Sequence, residues 1–136
     1  MRGGARFFLD RGVGSRIVPD GLRDAGWIVT TMDERYGREA SQGIADITWI
    51  RDASQVGEVV ITKDRAIAKR PLEAEAIYYS EARVFAIASA QITGPEQLER
   101  LLTNASRIEK QSIQPGPWVF GVYTDEVRRL SLRYPG

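Results

Sequence analysis

Three aspartates stand where the local sequence pattern changes. Asp10 closes the apolar run Arg6-Phe7-Phe8-Leu9, Asp46 opens the stretch Ile47 to Ser54, and Asp64 follows Glu58-Val59-Val60-Ile61-Thr62 after one residue. Carboxylates brought together repel one another, and a divalent cation relieves that repulsion. Hard oxygen donors without nitrogen or sulfur favour Mg²⁺ or Mn²⁺ over zinc or copper. Two such ions roughly 3.5–4 Å apart can activate a water and stabilise the leaving oxygen of a phosphodiester. The composition removes most other chemistries, because the 136 residues include no His and no Cys. That excludes Ser-His-Asp triads, histidine bases, cysteine nucleophiles, imidazole or thiolate metal sites and disulfide frameworks. Each Asp also has an ordinary use, ending a strand, opening a helix or making a turn. Spacing alone leaves both readings open.

Cations surround the third acid. Lys63, Arg65, Lys69 and Arg70 face one carboxylate, Asp64, between residues 63 and 70, and Arg11 directly follows Asp10. They are candidate phosphate contacts, as an RNA backbone beside a metal would require. The bland alternative is a solvated helix approach, with Lys63 or Arg65 pairing with Asp64. Net charge is only +1, yet 16 of the 19 basic residues are Arg. Arg grips phosphate or carboxylate bidentately, although a genome-wide base bias would produce the same skew. Trp49, three residues beyond Asp46, reads as core packing on that helix face. Tyr78, Tyr79 and Trp118 could stack bases, but core or partner-interface roles are preferred for them. Arg128-Arg129-Leu130-Ser131-Leu132-Arg133-Tyr134 reads as an edge strand, a partner-binding segment or a disordered tail.

The elements that must position these groups follow from periodicity. Arg6 to Leu9 reads as a buried strand between Gly3-Gly4 and Asp10-Arg11-Gly12. Ser15 is a candidate cap for a helix carrying Ile17, Val18 and Leu22 and closing near Gly26, with Pro19 in its first turn. Trp27 to Thr31 reads as the second strand, and residues 33 to 43 as a solvated loop or frayed helical turn. Asp46 is expected to cap a helix with the stripe Ile47, Ile50, Ala53 and Ser54, ended by Gly57. Strands are then expected at Glu58 to Thr62, Val84 to Ala88 and Trp118 to Tyr123. Between them lie helices from Leu72 to Ala82, after Pro71, and from Gly94 to about Lys110. This β-α alternation predicts a three-layer α/β/α sandwich with a mainly parallel sheet of about five strands. Ligands of such sheets bind beyond the carboxyl ends of the strands, where the three acids fall.

At this length one domain spanning residues 1–136 is expected, large enough to hold a core without disulfide or metal. The longest apolar run, Val84 to Ala90, falls far short of the ~20 residues a membrane helix needs. The start, Met1-Arg2-Gly3-Gly4 with Asp10 interrupting the first apolar run, is too short for a secretory signal, so a cytoplasmic protein is expected.

In order along the chain, Phe7-Phe8-Leu9-Asp10, then Asp46-Ile47-Thr48-Trp49-Ile50-Arg51-Asp52-Ala53, then Val59-Val60-Ile61-Thr62-Lys63-Asp64-Arg65-Ala66-Ile67 resemble the successive motifs of PIN-like domains. The branch they look most like is the short PIN-like proteins related to VapC-type toxin ribonucleases. The resemblance is strongest over residues 6–68, and strand order stays consistent through about Tyr123, with a C-terminal strand and tail in 117–136. It implies an Mg²⁺- or Mn²⁺-dependent endoribonuclease whose acids hold the metal, an RNA substrate, a small antitoxin partner and a possible homodimer. Asp10 matches the acid ending the first strand, Asp46 the acid opening the helix before the third strand, and Asp64 the acid of a Thr-x-Asp motif. Two departures bear on competence: Ala66-Ile67 replaces the second acid and aromatic of Asp-x-Asp-Phe, and no clear early-helix glutamate is present. Glu34 and Glu39 are its candidate substitutes. Two rivals follow, a degenerate PIN-like module that binds RNA or protein without turnover, and a receiver-like phosphoacceptor domain, which would need an acidic pair by the first strand.

Overall fold

Along β1 (Arg6–Leu9), Phe7 and Leu9 pack into one apolar cluster and Phe8 into another, all three buried. A strand buried on both faces needs cover on both, and in a parallel sheet the crossover helices supply it. The computed structural model describes residues 4–13, 16–89 and 91–135. After β1 come α1 (Ile17–Asp24), β2 (Ile28–Thr31), α2 (Met32–Tyr36) and α3 (Asp46–Gln55). Then follow β3 (Val59–Thr62), α4 (Pro71–Tyr79), β4 (Arg83–Ile87), α5 (Gly94–Thr103), α6 (Ala105–Ser112), β5 (Trp118–Val122) and β6 (Val127–Leu130). The sheet order is β2-β1-β3-β4-β5-β6, parallel except for the β5–β6 pair.

The expected α/β/α layering is present. Val18, Leu22, Leu101 and Ile108, from α1, α5 and α6, cover the face carrying Phe7, Val59, Ile61 and Phe85. Trp49, Ile50, Ala53 and Ile77, from α3 and α4, cover the face carrying Phe8, Val60 and Val84. Trp49 and Trp118 are core residues, as expected. Tyr79, by contrast, is 69% exposed and meets Tyr78 and Tyr134 in a surface cluster, with its hydroxyl accepting from Tyr134 at 3.1 Å.

Several expectations need correction. The sheet has six strands rather than about five, because the chain turns after β5 and Val127–Leu130 pairs antiparallel with it, Val119 opposite Leu130. Of the two readings of residues 33–43, the helical turn is the one realised. Thr31 and Glu34 form a reciprocal capping box that starts α2, and a 3₁₀ turn follows at Ala40–Gly43. The helix expected to run to Lys110 breaks at Asn104, whose buried side-chain amide donates to the Arg100 and Tyr123 carbonyls. Asp46 is the first residue of α3, after Ala45, and makes no capping bond. Helix α4 stops at Tyr79 instead of Ala82, with Glu81 at φ 52° turning the chain into β4. The Ser15 cap lies outside the described residues.

Candidate functional site

Strands β1 and β3 are parallel neighbours with Leu9 opposite Ile61, so their carboxyl ends sit side by side. The next residues leave the sheet together. Asp10 N–H still donates to the Ile61 carbonyl at 3.1 Å, which fixes where its side chain begins. Its Oδ1 accepts from the Gly12 amide at 2.6 Å and its Oδ2 from the Thr62 hydroxyl. Burial pushes the Asp10 carboxyl above its ordinary value; the bonds from Thr62 and Gly12 oppose that, and the charges of Asp46 and Asp64 add to it.

Thr62, the Thr of the Thr-x-Asp motif but not among the candidate site residues, ties two acids together. Its fully buried hydroxyl donates to Asp10 and accepts from the Asp64 amide at 3.0 Å. Asp64 Oδ1 in turn accepts from Ala66 N–H at 3.0 Å, capping the 3₁₀ turn Arg65–Ala68. The one sequence signal for this role is a Thr two residues before an acid at a strand end. Thr62→Val keeps the shape but strips a buried carboxylate and an amide of their partner. A loss of about 1–3 kcal/mol in urea denaturation is expected; an unchanged midpoint would show that the hydroxyl is idle.

The third acid arrives from α3, whose first turn projects Asp46 toward the same end of the sheet. Trp49 Nε1–H donates to Asp46 Oδ1 at 3.1 Å, so a core residue orients a surface carboxylate. Asp10, Asp46 and Asp64 line one cleft of about 260 Å³, together with Arg11, Gly12, Lys63, Met32 and Trp49. At Gly12 an added Cβ would lie 3.1 Å from Lys63 Cε and 3.3 Å from Asp10 Oδ1, so a side chain there would crowd the acid.

One cation spans two of the acids. Arg70 Nη2 lies 2.7 Å from Asp64 Oδ2 and 3.3 Å from Asp46 Oδ2, while its Nε reaches Glu73 at 3.2 Å. The partner of Asp64 is therefore Arg70 rather than Lys63 or Arg65. Among the described residues no three acidic side chains are drawn close enough to hold a metal ion as they stand. The donor chemistry nonetheless suits a hard divalent cation, with carboxylates on one cleft and their mutual repulsion felt at Asp10, although Arg70 competes for Asp46 and Asp64.

Of the other candidates, Arg11 and Lys63 share the cleft and the rest lie outside it. Arg11 lines the cleft and donates to the Ser41 carbonyl. Arg65 and Lys69 leave the same turn on its other side. Glu34 is held by the Thr31 amide at 2.9 Å and by Arg23 at 2.7 Å. Burial pushes its carboxyl up, but those partners outweigh burial and keep it below its ordinary value. Glu39 is exposed at the start of the 3₁₀ turn 40–43. Neither lines the acid cleft. Where the resemblance would place a second acid, Ala66 sits on the turn, and Ile67 is buried in the core.

Comparison with known proteins places the chain in a family. A family model described as a PIN-like domain matches residues 5–89, which contain all three acids. The chain is 31% identical over 123 residues, 90% of its length and 89% of the relative's, to a protein of Mycobacterium tuberculosis named "Putative ribonuclease VapC45". No solved structure matches it.

Proposed function

The chain belongs to the PIN-like domain family, and from that premise we propose that it is a metal-dependent endoribonuclease, the toxin of a toxin–antitoxin pair acting in the cytoplasm. The observation that carries the reading is the convergence of Asp10, Asp46 and Asp64 on one cleft at the carboxyl ends of β1 and β3. The name of the 31% identical relative supports RNA as substrate.

In this reading the three carboxylates hold Mg²⁺ or Mn²⁺. Bound there, the ion supplies Lewis-acid activation of water and of a phosphoryl oxygen. The chain's own groups do the positioning. Thr62 and Gly12 fix both oxygens of Asp10, Ala66 N–H orients Asp64, and Trp49 orients Asp46. Asp46 and Asp64 would hold the ion only if released by Arg70, for which Glu73 at 3.2 Å offers an alternative partner. Arg11 and Lys63, on the rim of the cleft, contact the phosphates beside the scissile bond. No described helix is long and apolar enough to cross a membrane.

Asp64→Asn is expected to lower cleavage of single-stranded RNA in Mn²⁺ by about 10³-fold, several kcal/mol of transition-state stabilisation. The half-buried Asn side chain still accepts from Ala66 N–H, which leaves the fold intact. Unchanged cleavage by that variant would remove the assignment. A small partner protein that blocks cleavage stoichiometrically would establish the toxin role. Ala66 in place of an acid, with Arg70 across two carboxylates, favours a second reading, a degenerate module that binds without turnover. Micromolar Mn²⁺ binding with no cleavage of any RNA would select it.

A further inference from the structure

The turn that carries Asp64 has two sides. Lys63 and Asp64 line the acid cleft, while Arg65, Ala66, Ala68 and Lys69 line a second and larger groove of about 540 Å³. The opposite wall comes from β6 and the segment after it, which adds Arg128, Arg129 and Arg133. Arg133 N–H donates to the Ala68 carbonyl at 2.9 Å, so the C-terminal segment is bonded to the turn and the walls are fixed relative to one another. The cationic side chains on this groove are Arg65, Lys69, Arg128 and Arg133, with no carboxylate among its lining residues, while Arg129, opposite Phe120, turns to the other face of the sheet.

The cations are poorly neutralised. Among the described residues, Arg65, Lys69 and Arg133 form no ion pair, and Arg128 has only the exposed Glu126 at 3.0 Å. The Arg128 guanidinium is held in place 4.5 Å from the Tyr123 ring centroid, while that of Arg129 stacks at 5.1 Å on Phe120, across the sheet from the groove. Such stacking reduces the entropy surrendered when a guanidinium grips a phosphate. The apolar residues of the lining are Ala66, Ala68 and Leu130. Paired Arg on the exposed edge strand also discourages strand addition by a peptide.

We infer that this groove holds the sugar-phosphate backbone of single-stranded RNA as it leaves the acid cleft. The inference rests on the nuclease reading for the direction of the strand, since one short turn, residues 64–69, joins cleft to groove. Recognition is through phosphate, so affinity is salt-dependent and tolerant of sequence.

The test separates the groove from the chemistry. Fluorescence anisotropy of a labelled, uncleavable 2′-O-methyl oligouridine of about 12 nucleotides, a length within the usual site size, is measured on the full chain in EDTA. Arg128→Gln/Arg133→Gln leaves an unbranched polar side chain at each position. It is expected to weaken binding at least about tenfold at low salt and to flatten the log–log salt dependence by about 1.4, at ~0.7 for each of two phosphates no longer neutralised. Lys69→Gln, on the opposite wall and outside β6, is expected to weaken binding several-fold without any risk to the strand. Wild-type affinity in both folded variants, no binding by the wild type, or preference for a polyglutamate peptide over RNA would each overturn the inference. Groove-dependent RNA binding in a protein that never cleaves would defeat the nuclease reading and leave the groove standing. Cleavage that persists when both variants bind RNA normally would do the reverse.

Discussion

Asp10→Asn is expected to abolish RNA cleavage and, at neutral pH, to make the protein more stable. The first effect follows from removing one of the proposed ligands. The second follows from burial, which pushes the Asp10 carboxyl above its ordinary value. An acid whose folded-state pKa is raised is ionised at a cost in the fold. Its folding contribution is therefore most favourable below the unfolded pKa of about 3.9 and declines as pH rises through the folded value. Asn carries no charge, still accepts from Gly12, and meets Thr62 Oγ1 with its amide. Thermal melts should place the variant above wild type at pH 7, by about 3–4 °C for each kcal/mol gained. The difference should close below about pH 4, where both side chains are neutral. A melting temperature below wild type throughout the range would mean that the hydrogen bonds to the carboxylate outweigh its desolvation. Stability surrendered for a charged cluster is a common cost of a working site.

The second large effect concerns Trp49. It is 2% exposed, packs at 6.0 Å between ring centroids on Phe8, and holds Asp46 through its indole N–H. Trp49→Ala should cost about 3–5 kcal/mol, a large fraction of the ~5–15 kcal/mol that stabilises an ordinary domain. Trp49→Phe keeps a ring against Phe8 but cannot donate. It should retain most of the stability while weakening Mn²⁺ affinity, because Asp46 loses its fixed orientation. Denaturant titration and calorimetry read the two effects separately. A Trp49→Ala loss under about 0.5 kcal/mol, the range of surface substitutions, would contradict the packing.

Much of this architecture is legible in the sequence. The strands β1, β3, β4 and β5 are short apolar runs bounded by turn residues, and strict alternation with helices forces a parallel order. That order puts Asp10 and Asp64 on neighbouring strand ends, and a helix antiparallel to β3 brings Asp46 to the same end. What stays hidden depends on long-range contact. The break at Asn104 follows from a side-chain bond to Tyr123, 19 residues away, which no local propensity encodes. Glu34 reads along the chain as a candidate catalytic acid, whereas Thr31 three residues before it makes the pair a capping box, a signal the sequence does carry. Arg70 stands out as a candidate phosphate contact, but its reach across 24 residues to Asp46 emerges only once α3 and the 65–68 turn are side by side. The basic groove joins residues more than 55 apart, and nothing along the chain relates its two halves.

The central claim is that Asp10, Asp46 and Asp64 form one metal site. Its most direct test is calorimetric titration of Mn²⁺ into the wild type and Asp64→Asn. Micromolar binding by the wild type that is lost in the variant is the predicted result. No binding by the wild type at millimolar Mn²⁺ would contradict it, leaving the three acids as the ends of two strands and a helix, with Arg70 as their permanent counter-ion.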